Sequence, residues 1–294
     1  MSNYEADEAF CLRAVDFAES SQVVTLWTRG HGLLALIAKG SRKIGKGHSA
    51  AVNGPVDLLA RGQAVFLPPR RGAELGTLTA WNPLDHYPRL RADLHAFYAG
   101  QLICEFTLAL LSPGDPHPDW HVQCAATLQR LGGPDGPRAI VAYLKAALAA
   151  TGYQPHLSGC LGCGAAPQPG IVMRFIPITG GVWCTRCVAP VVRAREHRAP
   201  PVSLQVDGGI VAALQRLPAP AALPDPQEHR PQHTPGQLAP TPAATNALLA
   251  AAQLLMFHAR FNTDRAFKTF SLTPLIFQHK YPRPPTADPT HPRA

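Results

Sequence analysis

No apolar run in this sequence approaches the roughly 20 residues that a bilayer-crossing helix needs. The longest, Gly32 to Ala38 and Ile103 to Leu111, stop far short. Glu5, Asp7 and Glu8 make the N-terminus acidic, unlike the basic start of a signal peptide. A cytoplasmic protein is therefore the expectation. No nucleophile-elbow pattern, HExxH pattern or close carboxylate pair is present, so an enzymatic reading has little to stand on. Charged residues form only 16% of the chain and aromatic residues 7%, while 46% are apolar. That balance excludes a wholly disordered chain and allows a sizeable core. Acidic residues are missing altogether between Ser20 and Val56.

What is present is positive charge. The net charge is +8 over 294 residues and the isoelectric point is near 9.3, which points to a polyanionic partner. Arg29, Lys39, Arg42, Lys43 and Lys46 occupy the acid-free stretch, and Arg61, Arg70 and Arg71 extend the basic set. Such side chains neutralise phosphates by counterion release. A polar, solvated loop is the plainer reading of the same charges. Trp27, Phe66 and Trp81 sit in apparent strands and are expected in a core rather than as base-stacking platforms.

From Ala9 to about Trp81 the sequence reads as a small five-stranded barrel, with runs Val23 to Trp27, Leu33 to Ala38, Val56 to Ala60, Ala64 to Leu67 and Leu75 to Trp81. Arg29-Gly30-His31-Gly32 supplies a glycine turn between two of them. After Pro88 the apolar spacing becomes helical, through Leu94, Phe97, Tyr98, Leu102 and Phe106, then Trp120 to Leu131 and Pro137 to Ala150. These patterns predict a multidomain α+β chain. Residues 1–82 form the barrel and 83–157 a helical domain. A cysteine module follows at 158–200, a short helix capped by Asp207 at 201–217, and a proline-rich linker at 218–242. A helical segment at 243–280 returns to the bundle, and 281–294 is an unstructured tail.

The strongest local signal is Cys160-Leu161-Gly162-Cys163 and Cys184-Thr185-Arg186-Cys187, two C-x2-C pairs flanking a predicted hairpin. Four thiolates at this spacing fill a tetrahedral shell around one structural Zn2+ and leave no place for a catalytic water. Redox pairs or reduced thiols are the alternatives. The other three of the seven cysteines, Cys11, Cys104 and Cys124, fall on apolar faces and are expected to be buried. Gly40 to Gly47 approaches a phosphate-binding P-loop, but Gly47 stands where a Ser or Thr must hold magnesium, so nucleotide hydrolysis is not expected. His229 and His233 lie in the predicted linker without ligand spacing and read as solvated.

Residues 9–28, Arg29-Gly30-His31-Gly32-Leu33, Ala38-Lys39-Gly40-Ser41-Arg42-Lys43 and Gly76-Thr77-Leu78-Thr79 together resemble the barrel strands, glycine turn and basic segment of the RecO family. The order of barrel, helices, four-cysteine unit and returning helix agrees, while the long proline-rich linker and tail depart from the family's compact pattern. The resemblance implies an N-terminal OB-fold, a helical bundle and an inserted zinc module. It also implies a nucleoid-associated, non-enzymatic mediator of DNA repair and recombination. Such a protein binds single- and double-stranded DNA, anneals strands without ATP and helps load recombinase. Its implied partners are RecR and the C-terminal tail of single-strand-binding protein, with no membrane. Arg29, Lys39, Arg42, Lys43, Lys46, Arg70 and Arg71 are the expected DNA contacts. A zinc-ribbon interaction scaffold without direct DNA activity is the alternative.

Overall fold

A computed structural model describes residues 4–42, 52, 54–70, 72–193, 202–220 and 242–277. Lys43, Lys46, Arg71, the last part of the P-loop-like run, most of the proline-rich linker with His229 and His233, and the tail 281–294 lie outside the described residues.

Strands β1 (Glu5–Phe17), β2 (Ser21–Thr28), β3 (Gly32–Ala38), β4 (Arg61–Leu67) and β5 (Gly76–Asp85) close into a barrel in the order β1-β2-β3-β5-β4. Only β3 and β5 pair in parallel; β4 returns antiparallel to β1. This is the OB-like arrangement. Strand alternation turns Ala9, Cys11, Val24, Leu26, Leu36, Ala64, Phe66 and Leu78 into the barrel core. The same alternation aims Phe10, Leu12 and Trp27 outward, where the helices cover them.

Two strand expectations are corrected. The run from Val56 to Ala60, of which Val56, Leu59 and Ala60 are buried, is not a strand, because Leu59 takes a left-handed backbone (φ 67°) that breaks it. It turns the chain into β4 and binds the bulged part of β1 instead: Leu59 N–H donates to Cys11 O and Cys11 N–H to Ala60 O. The fifth strand is β1. Its period is masked because Ala9 through Leu12 are buried on both faces. In the β2–β3 turn only Gly32 takes positive φ (70°), and a Cβ there would lie 2.5 Å from Asp115 N, so only glycine fits.

The helical layer contains α1 (Pro88–Ala92), α2 (Leu94–Leu110), α3 (Pro118–Arg130) and α4 (Gly136–Ala150). Asp93 caps α2 by accepting from Ala96 N–H. Beyond them come β6 (Val172–Ile176), β7 (Gly181–Cys184), α5 (Thr185–Arg193), β8 (Leu204–Asp207) and α6 (Gly208–Arg216), then α7 (Pro242–Thr263) and α8 (Thr273–Phe277). Helix α7 packs along α4, so the cysteine module is inserted between partners of one bundle. Asp207 caps α6 through Gly209 N–H.

One apolar cluster runs from Phe10 and Trp27 through Phe106, Trp120, Tyr143 and Leu255 to Met173 and Phe175 of the second sheet. At its barrel end Trp27 meets Trp120, with ring centres 4.9 Å apart. His121 lies 4.5 Å from Phe10 and 5.1 Å from Trp27. Burial lowers the His121 pKa to about 4.

Candidate metal centre and nucleic-acid interface

The Sγ atoms of Cys160, Cys163, Cys184 and Cys187 all lie within 4.8 Å of one another, and Cys163 and Cys184 are 3.9 Å apart. A tetrahedral ion with metal–sulfur bonds of ~2.3 Å sets its sulfurs about 3.8 Å apart. The cluster fits a metal ion. Its geometry comes from two backbone devices. The β6–β7 hairpin, in register Met173↔Cys184 to Ile176↔Gly181, places Cys184 at the end of β7 and Cys187 one turn later in α5. The Cys160 loop folds back on itself, with Gly164 N–H donating to Cys160 O and Cys160 N–H to Ala165 O.

Backbone donors prepare the buried member for a cation. Cys184 N–H and Gly162 N–H donate to Cys160 Sγ at 3.2 and 3.4 Å. Burial pushes the Cys160 thiol up, but the amides of Cys184, Cys163 and Gly162 outweigh it and bring the pKa to about 6. Gly162 also clears space: a Cβ there would stand 2.8 Å from Cys187 Cβ and 3.0 Å from its Sγ.

Arg29, Lys39, Arg42 and Arg70 are exposed and Arg61 is half-buried, but the barrel divides them. Arg29 sits at the β2–β3 turn, while Lys39 and Arg42 follow the far end of β3. Seven strand residues at ~3.3 Å each separate the two groups by roughly 20 Å. The Arg29 end is rich in acid. His31 contacts Glu5 and Asp7 at 3.0 and 2.8 Å, and Arg61 pairs with Glu8 at 3.6 Å. At the other end Arg42 meets Asp16 at 2.9 Å, an exposed pair worth at most about 1 kcal/mol. Arg70 is exposed in the loop after β4.

Sequence reasoning missed the residue that holds the basic loop. Gln22, buried on the inward side of β2, accepts from Ser41 Oγ (3.2 Å) and Val56 N–H (2.9 Å), tying together the two ends of the excursion from Ser41 to Val56. Arg42 N–H adds a bond to Ser20 O. The available signal was an amide at an inward strand position between Val24 and the barrel end, where an unpaired polar group would be costly. Of the other expectations, Trp27, Phe66 and Trp81 are buried, as are Cys11, Cys104 and Cys124.

The model described as Recombination protein O N terminal matches residues 1–87, and that described as Recombination protein O C terminal matches residues 91–205. Among curated relatives, the DNA repair protein RecO of Myxococcus xanthus (strain DK1622) is 33% identical over 235 residues, covering 78% of this chain and 87% of the relative. That of Anaeromyxobacter sp. (strain K) is 32% identical over 215 residues, covering 72% and 82%. The protein of the same name from Desulforudis audaxviator (strain MP104C) is 30% identical over 187 residues, covering 64% and 71%.

Proposed function

Because this chain belongs to the RecO family, we propose that it is a DNA-binding mediator of DNA repair and recombination that works without nucleotide hydrolysis. It anneals complementary strands and helps load recombinase onto DNA coated by single-strand-binding protein, in company with RecR. The observation that carries this reading is the closed OB-like barrel with Lys39 and Arg42 exposed where the chain leaves β3, beside the Gln22 bonds to Ser41 and Val56. Lys43 and Lys46 continue this basic run in sequence. Cations beside a barrel track phosphates without reading bases and lower the repulsion between two approaching strands. Arg29 stands with the acids at the other end and belongs to a separate contact; Arg70 follows the end of β4 that pairs with Glu5, on that same side, and Arg71 is next in sequence.

The four-thiolate cluster holds one structural Zn2+, the common divalent ion for such a ligand set. When bound, the ion supplies cross-linking between the Cys160 loop and the hairpin. A groove lined by Phe257 and Phe261 beside Arg260 and Arg265, together with Val202, Asp264 and Ala266, suits the acidic-apolar tail of single-strand-binding protein.

Replacing Lys39, Arg42, Lys43 and Lys46 by alanine tests the barrel interface. Each lost phosphate contact flattens the slope of log affinity against log salt by about 0.7 on single strands. The quadruple variant is expected to bind weakly with a visibly shallower slope, measured by fluorescence anisotropy between low and moderate salt. An unchanged slope would refute this placement.

A further inference from the structure

We propose that the outer face of the β7-β6-β8 sheet is a second contact for single-stranded DNA, with Trp183 stacking on a base and Arg174 and Arg186 meeting the flanking phosphates. The inference rests on the DNA-binding reading above and adds a surface on the cysteine module, far in sequence from the barrel cations.

Strand register defines the face. Trp183 pairs with Arg174 across β7–β6, and Arg174 pairs with Gln205 across β6–β8. Residues directly opposite one another share a sheet face, so Trp183, Arg174 and Gln205 form one row. The flanking rows, Cys184–Met173–Val206 and Val182–Phe175–Leu204, belong to the other face, which Met173 and Phe175 bury against the bundle. Gln205 is exposed and Arg174 and Trp183 are half-buried. The outer row is thus an aromatic ring, a cation and an amide side by side, open to water.

The ring is held in place. Trp183 Nε1 donates to Thr179 Oγ1 at 3.0 Å, and its Cζ3 edge rests where Gly162 leaves room, 3.1 Å from the Cβ that glycine lacks. A ring fixed before binding loses little entropy on stacking. The other three tryptophans are buried: Trp27 at 0%, Trp120 at 2% and Trp81 at 7% exposure. Their role is packing, whereas Trp183 is the one that solvent reaches.

Charge favours a polyanion. No Asp or Glu occurs in the sequence between Asp135 and Glu196, a span that contains the whole four-cysteine cluster; on β8 the face also carries Asp207, opposite Val172, whose carboxylate is engaged by Gly170 N–H and Gly209 N–H. Among the described residues Arg174 is steadied by Ser203 Oγ at 3.2 Å rather than by a carboxylate, and Arg186 is exposed inside the second cysteine pair. A four-thiolate zinc centre carries net negative charge and offsets part of this field. Stacking therefore supplies the larger share of binding, with the arginines orienting the backbone. A flat row with one open ring suits a base better than an apolar side chain of a peptide, which needs a pocket.

The test uses the full-length, zinc-loaded protein and an oligothymidylate followed both by tryptophan emission and by anisotropy. Binding is expected to quench emission in the parent protein and, at low salt, in the Lys39→Ala/Arg42→Ala variant. Trp183→Ala should weaken affinity about tenfold, the loss of one stacked base, while Trp183→Phe restores most of the affinity without the emission change. Arg174→Ala/Arg186→Ala should weaken binding with zinc content unchanged. Binding by anisotropy with no quenching, and with unaltered affinity in these variants, would overturn the second contact and leave the barrel interface standing. Quenching by an acidic peptide but not by the oligonucleotide would also overturn it. Absence of any DNA binding would remove both readings.

Discussion

His121 shows how a single buried side chain sets the pH response of this fold. Its ring lies between Phe10 and Trp27, 1% exposed, and burial lowers its pKa to about 4, against about 6.5 for the unfolded chain. Below pH 6.5 the unfolded state takes up a proton that the folded state refuses. The contribution is therefore fully present above about pH 6.5 and falls as pH drops toward 4, by up to about 3 kcal/mol. Burial shifts His258 in the same direction. Urea denaturation at pH 7 and pH 4.5 should show a larger loss of stability in the parent than in His121→Phe; equal losses would show that His121 does not carry the effect. Nothing in the sequence marked His121. A histidine one position after Trp120 reads as an ordinary helix residue until tertiary packing encloses it.

At the scale of elements, the proposed zinc is expected to act as a cross-link within the cysteine module. β7 and β8 are four residues each and β6 five, so the sheet buries little apolar surface by itself and leans on the bundle through Met173 and Phe175. Gly162 lets the Cys160 loop approach α5 at Cys187. Gly162→Ala is therefore expected to lower zinc affinity at least about tenfold, as displacement of a ligand or its support does, measured by competition with a chromogenic chelator. Unchanged affinity would show that the loop yields without moving Cys187. The four-cysteine cluster was legible because C-x2-C spacing is a local constraint that the chain itself records. The hairpin between them, the helices α2 to α4 and the return of α7 were legible from apolar period. Strand β1 was legible only by resemblance, since two-sided burial hides its alternation, and Val56 to Ala60 misled because hydrophobicity without period does not distinguish a strand from a buried turn. Gln22 escaped because its partners are 19 and 34 residues away.

Across the whole molecule, one core joins the barrel to the bundle and the bundle to the cysteine module through Trp27, Trp120, Tyr143, Leu255 and Phe175. The two DNA-facing surfaces proposed here therefore sit on one connected framework. A basic barrel and a stacking face together would hold a strand at two places and leave its bases free to pair, which is what annealing requires. The deciding measurement is annealing of complementary oligonucleotides precoated with single-strand-binding protein, without nucleotide and over a range of salt. Acceleration by this protein at moderate salt, fading as salt rises and reduced by the Lys39, Arg42, Lys43 and Lys46 replacements, is expected. No acceleration, together with no DNA binding, would contradict a mediator role and favour a zinc-ribbon interaction scaffold.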